Sequence, residues 1–152
     1  MSTRNIATNR RARFDYHILE TFEAGMVLRG SEVKSLRAGR VNLKDSYGLM
    51  KDGEAWLIGA HISPYDFSRM GGHEPERTRK LLLHKREIEK IASALAEKGL
   101  TFIPIRMYFD DGLAKIEMGL AKGKSRFDKR ETLKRKQADR EMERAIRYRS
   151  ID

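Results

Sequence analysis

The chain has 152 residues, no cysteine, 36% charged residues and a formal net charge of +10. That length suffices for one sizeable core and is short for two, and the lack of cysteine excludes disulfide scaffolds, thiolate nucleophiles, zinc knuckles and iron–sulfur clusters together. No apolar run approaches the roughly 20 residues of a membrane helix, and the first residues lack the apolar stretch of a secretory signal, so a cytoplasmic protein with a polyanionic partner is expected, RNA or DNA before a membrane surface.

The charge is uneven along the sequence. Residues 1–13 carry Arg4, Arg10, Arg11 and Arg13 with no acid, residues 122–152 carry twelve bases against six acids, and residues 14–121 hold sixteen of each. This partition predicts a basic N-terminal arm (1–13), a neutral folded domain (14–121) and a basic tail (122–152).

Within the neutral stretch, Phe14, Tyr16 and Ile18 alternate with Asp15 and His17, the period-2 pattern of a half-buried strand. Gly25 is expected to break the chain before a second apolar run, Met26–Val27–Leu28. Ser31 reads as the N-cap of a short helix with Val33 and Leu36 on one face and Gly39 at its end. Lys51–Asp52–Gly53–Glu54 between the apolar runs 47–50 and 55–58 is a hairpin signal. Residues 64–79, with two prolines and Gly71–Gly72, read as a long loop. A helix is predicted over 86–98, since Ile88, Ile91, Ala92 and Leu95 share a face and Gly99 follows. Strands over 102–109 and 113–120, joined by Asp110–Asp111–Gly112, close the domain, with Pro104 marking an edge or a bulge. Roughly six short strands interspersed with helices fit a small, mainly β barrel better than a doubly wound sheet.

The tail differs in kind. From Lys124 onward it has no Gly or Pro, and its apolar residues, Leu133, Ala138, Met142, Ala145 and Ile146, are sparse. So thin a stripe gains little from docking on its own domain, which predicts a segment disordered when free and helical against a polyanion.

Catalytic and metal chemistry find little support. His17, His61, His73 and His84 stand at none of the usual metal spacings, so no metal site and no cofactor are expected. The run 119–125 has three residues between its glycines where a phosphate loop needs four, and reads as a Gly/Lys hinge. A ribonuclease built on His84 and Lys85 would lack a second paired base. Basic clusters are the better signal: Arg10–Arg11–Ala12–Arg13, and Arg77–Thr78–Arg79–Lys80 and His84–Lys85–Arg86 on either side of Leu81–Leu82–Leu83. They would supply phosphate contacts without sequence specificity, or serve as solvated charge around buried leucines. Tyr65 and Phe67 beside Arg69 are equally candidates for base stacking and for the core. Phe127, flanked by bases and without apolar neighbours, reads as a residue that stacks on a nucleobase or fills a partner's pocket.

Six collinear motifs resemble a known family: Asn9–Arg10–Arg11–Ala12–Arg13, Phe22–Glu23–Ala24–Gly25, the run 30–39 (GSEVKSLRAG), Asp45–Ser46–Tyr47, the run 77–83 (RTRKLLL), and Ala121–Lys122–Gly123–Lys124 with Asp128–Lys129–Arg130. In these the chain resembles the SmpB family, the SsrA-binding proteins of bacterial trans-translation. The resemblance implies an OB-like β-barrel flanked by about three helices. It implies a non-enzymatic adaptor that binds the tRNA-like domain of transfer-messenger RNA, meets alanyl-tRNA synthetase and elongation factor Tu only through that RNA, and enters stalled ribosomes. By motif match, Asn9, Glu23 and Leu82 would contact the RNA, with Arg10, Arg11, Arg13, Arg79, Lys80 and Lys85 at its phosphates; Leu82 fits a core role equally well. The tail residues Lys122, Lys124, Phe127, Asp128, Lys129 and Arg130 would serve the decoding centre and the empty message channel. Relatives often carry His or Tyr where Phe127 stands, so stacking is retained there and a polar edge contact is lost. A structural RNA-binding protein of the ribosome is the alternative.

Overall fold

A computed structural model of the chain describes residues 3–64, 73–97 and 99–151. Along the sequence come β1 (Thr3–Thr8), α1 (Ala12–Asp15), β2 (Tyr16–Met26), α2 (Gly30–Arg37), β3 (Val41–Asn42), β4 (Tyr47–Lys51) and β5 (Glu54–Ile58). There follow β6 (His61–Ile62), β7 (Arg79–Leu82), α3 (Lys85–Ala96), β8 (Leu100–Asp110), β9 (Leu113–Gly123) and α4 (Arg126–Ile151). The ladders are antiparallel and run β8–β4–β5–β7–β2–β9, and β9 pairs back along the length of β8, so the strand pairing closes into a ring. β1 lies along the distal half of β8, and β3 and β6 form a separate two-stranded ladder.

Alternation puts Phe22, Ala24, Leu57, Leu81, Phe102, Met107, Ile116 and Met118 inside the ring, where α2 adds Leu36 and α3 adds Ile91. Phe22 and Phe102 meet edge to face with centroids 6.3 Å apart. β4 can pass over this pair only because residue 48 is glycine: a Cβ there would lie 2.2 Å from the Phe102 ring.

The structure revises several local expectations. Gly25 does not break the chain; β2 continues to Met26 and sets the glycine opposite Leu82 of β7. Phe14 lies in α1 and not in the first strand. The N-cap of α2 is Arg29, whose N–H donates to Glu32 Oε1 at 2.8 Å, while Ser31 turns its hydroxyl to His73 Nδ1 at 2.9 Å. Pro104 sits in an interior strand, tolerated at a bulge where the β8–β9 register slips between Pro104 and Arg106. Both Asp–Gly hairpin turns carry two residues in the left-handed region, Asp52 and Gly53 at φ 54° and 73°, Asp111 and Gly112 at 48° and 84°, as a two-residue hairpin turn requires. β9 runs through Gly119 to Gly123, which confines the hinge to Lys124 and Ser125. Residues 3–8, within the basic N-terminal stretch, pair with β8. Of the long loop, residues 65–72 lie outside the described residues, and with them Tyr65, Phe67 and Arg69.

α4 starts from a proper cap: Ser125 Oγ accepts the Asp128 N–H at 3.2 Å. Its ties to the body come from its first two turns, and beyond them Leu133 and Met142 face solvent. Among the described residues no helix is long and apolar enough to cross a membrane, and no group of three potential metal ligands comes together.

Candidate nucleic-acid interface

The alternation that fills the ring leaves a strip of functional side chains on its outer face. Register aligns Arg106 on β8 with Glu117 on β9 and Glu117 with Glu23 on β2. The next row runs Tyr108, Lys115, Gly25 and Leu82, across four strands. Leu81 is buried and Leu82 is 51% exposed, which places Leu82 on the surface and not in the core. Gly25 lies opposite it, and a cavity of about 280 Å³ opens between Glu23, Leu82, Leu83, His84 and Glu87.

Both oxygens of Glu23 are held. The Tyr108 hydroxyl donates to Oε2, and Lys115 Nζ donates to Oε1 at 2.9 Å. The Tyr108 hydrogen bond, then that of Lys115, keeps the Glu23 carboxyl below the usual carboxylate range. Burial, reinforced by the same bond, pushes the Tyr108 hydroxyl up. Glu23 is therefore an oriented, acceptor-only group that remains half exposed. Arg106 places its guanidinium carbon 4.2 Å from the centre of the Tyr108 ring. Sequence reasoning missed Arg106, Tyr108 and Lys115. They alternate with Met107, Phe109 and Ile116, but only the register of three strands shows that they surround Glu23.

Arg79 does not belong to this surface. It is fully buried, and its guanidinium donates to Glu32 Oε2 at 2.5 Å, to Ala60 O at 2.8 Å and to Pro75 O at 3.0 Å. Arg77 joins the same carboxylate through Glu32 Oε1. Burial works against ionisation of Glu32 but the two guanidiniums and the Arg29 N–H outweigh it, so its carboxyl also lies below the usual range. The expected phosphate contact at Arg79 is corrected to a structural ion cluster: β7 turns alternate residues inward, and Arg79 shares the inward face with Leu81. Lys80, on the outward face, pairs with Glu54 at 2.9 Å, and Lys85 is exposed at the first turn of α3. His84 is the N-cap of that helix, its N–H donating to Glu87 Oε1 at 3.1 Å.

A second cluster forms where α4 leaves the body. Asn9 clamps the approach to α1 onto the β8 bulge, with Nδ2 donating to Pro104 O at 2.9 Å and its N–H to Ile105 O at 2.7 Å. Lys124 donates from Nζ to Arg13 O and to Thr132 Oγ1, both at 2.9 Å. Lys129 pairs with Asp15 at 3.1 Å, and His17 with Asp128 at 3.3 Å; the His17 hydrogen bond, with that of Ser125, holds the Asp128 carboxyl below its ordinary value. Arg11 and Lys129 both approach the Phe14 ring, at 5.8 and 5.9 Å. Arg10, Arg11, Arg13, Lys122 and Arg130 are exposed around this junction, and Phe127, 69% exposed, packs into no core. The structure thus brings Arg11 and Arg13 to the tail residues, whereas Glu23 and Leu82 stand together elsewhere on the surface.

The family model described as SmpB protein matches residues 6–148. The chain is 58% identical over 146 residues to the SsrA-binding protein of Gloeothece citriformis, covering 95% of this chain and 94% of that one. It is 55% identical over 150 residues to the SsrA-binding protein of Geobacter metallireducens, covering 99% and 98%. A chain in the solved structure "tmRNA-SmpB: a journey to the center of the bacterial ribosome" is 47% identical, with a TM-score of 0.68 over 84% of this chain and 93% of that chain. A family model that spans nearly the whole sequence, relatives matched almost end to end and a shared fold agree with the six motifs, and this chain belongs to the SmpB family.

Proposed function

We propose that the chain is an RNA-binding adaptor of trans-translation. It binds the tRNA-like domain of transfer-messenger RNA, delivers that RNA to stalled ribosomes, and places its C-terminal tail in the decoding centre and the empty message channel. It acts in the cytoplasm and catalyses no reaction; alanyl-tRNA synthetase and elongation factor Tu are reached through the RNA. The observation that carries this reading is the outer strip, where an oriented carboxylate and an exposed leucine stand side by side on a chain whose relatives are SsrA-binding proteins.

An acceptor-only Glu23 selects donors, a base N–H or a ribose hydroxyl, and Leu82 offers an apolar floor to a base face. Lys80, on the same face of β7 as Leu82, and Lys85, exposed at the start of α3, would meet neighbouring phosphates, while Lys115 holds Glu23 in place. Asn9 supports the junction, where Arg10, Arg11, Arg13, Lys122 and Lys124 add sequence-independent attraction. Beyond it, Phe127 stacks on a ribosomal base, Asp128 and Lys129 exchange their contacts with the body for ribosomal ones, and the exposed Arg130 joins them. The thin apolar stripe of α4 makes its far turns dependent on the message channel for order.

A chain ending at Ser125, which keeps β9 whole, tests this division. It should bind transfer-messenger RNA as the full chain does and fail to support tagging on stalled ribosomes. Tagging by the truncated chain would refute the role given to the tail, and loss of RNA binding would refute the role given to the barrel. Metal-independent cleavage of labelled RNA that His84→Ala abolishes would replace the adaptor by a nuclease.

A further inference from the structure

Arg106 is unexplained by packing alone. It covers the outer face of Tyr108, leaving that residue 4% exposed, while its own side chain stays 39% exposed. Its one carboxylate partner, Glu117, is engaged through Nε at 3.8 Å, a long contact in a solvated position. Its other neighbour is the Tyr108 ring, whose centre lies 4.2 Å from the guanidinium carbon. Arg106 therefore lies over an aromatic ring while part of its side chain stays in solvent. A planar, weakly hydrated cation in that position is suited to take a second flat ring.

Its place in the strip gives this surface a use. Arg106 and Glu23 flank Glu117 in one cross-strand row. Strands lie about 4.8 Å apart, which sets the two residues roughly 10 Å apart at the backbone, about the span of a nucleoside. A base resting on Arg106 would point an edge or its ribose toward the anchored Glu23 carboxylate, which accepts only from donors.

We propose that Arg106, held over the Tyr108 ring, is the stacking platform for an unpaired nucleobase of the bound RNA. The inference rests on the reading of the strip as the RNA face and adds to it a three-layer stack of tyrosine, arginine and base. Tyr108 is a positioning residue: its ring supports Arg106 and its hydroxyl holds Glu23. The function of Arg106 lies in its plane and not only in its charge.

Lysine separates the two, because it keeps the charge and loses the plane. The test uses the full chain with transfer-messenger RNA as probe, titrated across a series of salt concentrations. Arg106→Lys should weaken binding about tenfold with an unchanged salt slope, in the range set by single base-stacking contacts. Base-directed chemical probing should show one unpaired nucleotide losing its protection while the other protections persist. If Arg106→Lys binds like the parent while Arg106→Gln is weaker with a shallower salt slope, Arg106 is a phosphate contact and the stack is refuted. If neither variant changes affinity while Glu23→Gln does, the stack is refuted and the RNA face stands. If Glu23→Gln is also without effect, the face itself is misassigned. A misfolded Lys variant would lose every protection at once, and Arg106→Ala, which removes plane and charge together, then decides the question: an affinity equal to the parent's overturns the stack.

Discussion

The outer strip and the tail junction carry similar residue types in opposite states. In the strip, Lys115 is tied to Glu23 at 2.9 Å and to Asp110 at 3.5 Å, and Arg106 leans toward Glu117, so charge is locally balanced and direction is fixed. At the junction, Arg10, Arg11, Arg13, Lys122 and Arg130 are exposed, and Asp15 and Asp128 are engaged with Lys129 and His17. Net charge attracts a polyanion from any direction, whereas an oriented pair distinguishes what arrives. On the proposed function, the excess charge of the chain gathers RNA and the oriented strip reads it.

The largest expected effect comes from breaking the buried ion cluster around Glu32. Arg79→Ala leaves the Glu32 carboxylate buried with one guanidinium fewer and should cost about 3–5 kcal/mol in urea unfolding. The depressed Glu32 carboxyl contributes stability that is fully present above its unfolded value near 4.5 and is lost as pH falls through its lower folded value. Glu32→Gln should abolish that acid-dependent component, as read by melting temperature against pH.

Next in size are substitutions in the strip. Glu23→Gln and Leu82→Ala should each weaken binding of transfer-messenger RNA by about 1–3 kcal/mol, with the salt slope preserved and the melting temperature nearly unchanged. Single substitutions at the junction should act the other way round: Arg11→Gln or Lys122→Gln lowers the salt slope by about one with a modest loss of affinity. Phe127→Ala should leave RNA binding intact and impair tagging on stalled ribosomes, while Phe127→Tyr should not. The smallest effect is expected from Asp128→Asn, which removes the pairing with His17; amide exchange in the first turn of α4 should quicken without a shift in global stability. Because the Asp128 carboxyl is depressed, its pairing persists above the ordinary value of 3.8 and fails as pH falls through the lower folded value.

Local signals in the sequence read well where the physics is local. The Asp52–Gly53 and Asp111–Gly112 turns, the apolar face of α3 and the exposure of Phe127 all follow from neighbouring residues. Position across the sheet does not. Gly25 looks like a break, yet β2 runs on through it and sets it opposite Leu82, a residue far along the chain. Arg79 looks like its neighbours Arg77 and Lys80 until the pairing of β7 turns it inward. Of the strip, Glu23 and Leu82 were accessible through family motifs, while Arg106, Tyr108 and Lys115 became visible only through the β8–β9–β2 register.

The separation of reading from gathering is tested most directly by the salt dependence of transfer-messenger RNA binding, measured for the full chain, for Glu23→Gln and for the double variant Arg11→Gln/Arg13→Gln. The account predicts a Glu23→Gln line parallel to the parent and displaced to weaker binding, and a double-variant line with a slope shallower by about two. Contradiction would come from a shallower slope for Glu23→Gln, or from an unchanged slope when both arginines are removed.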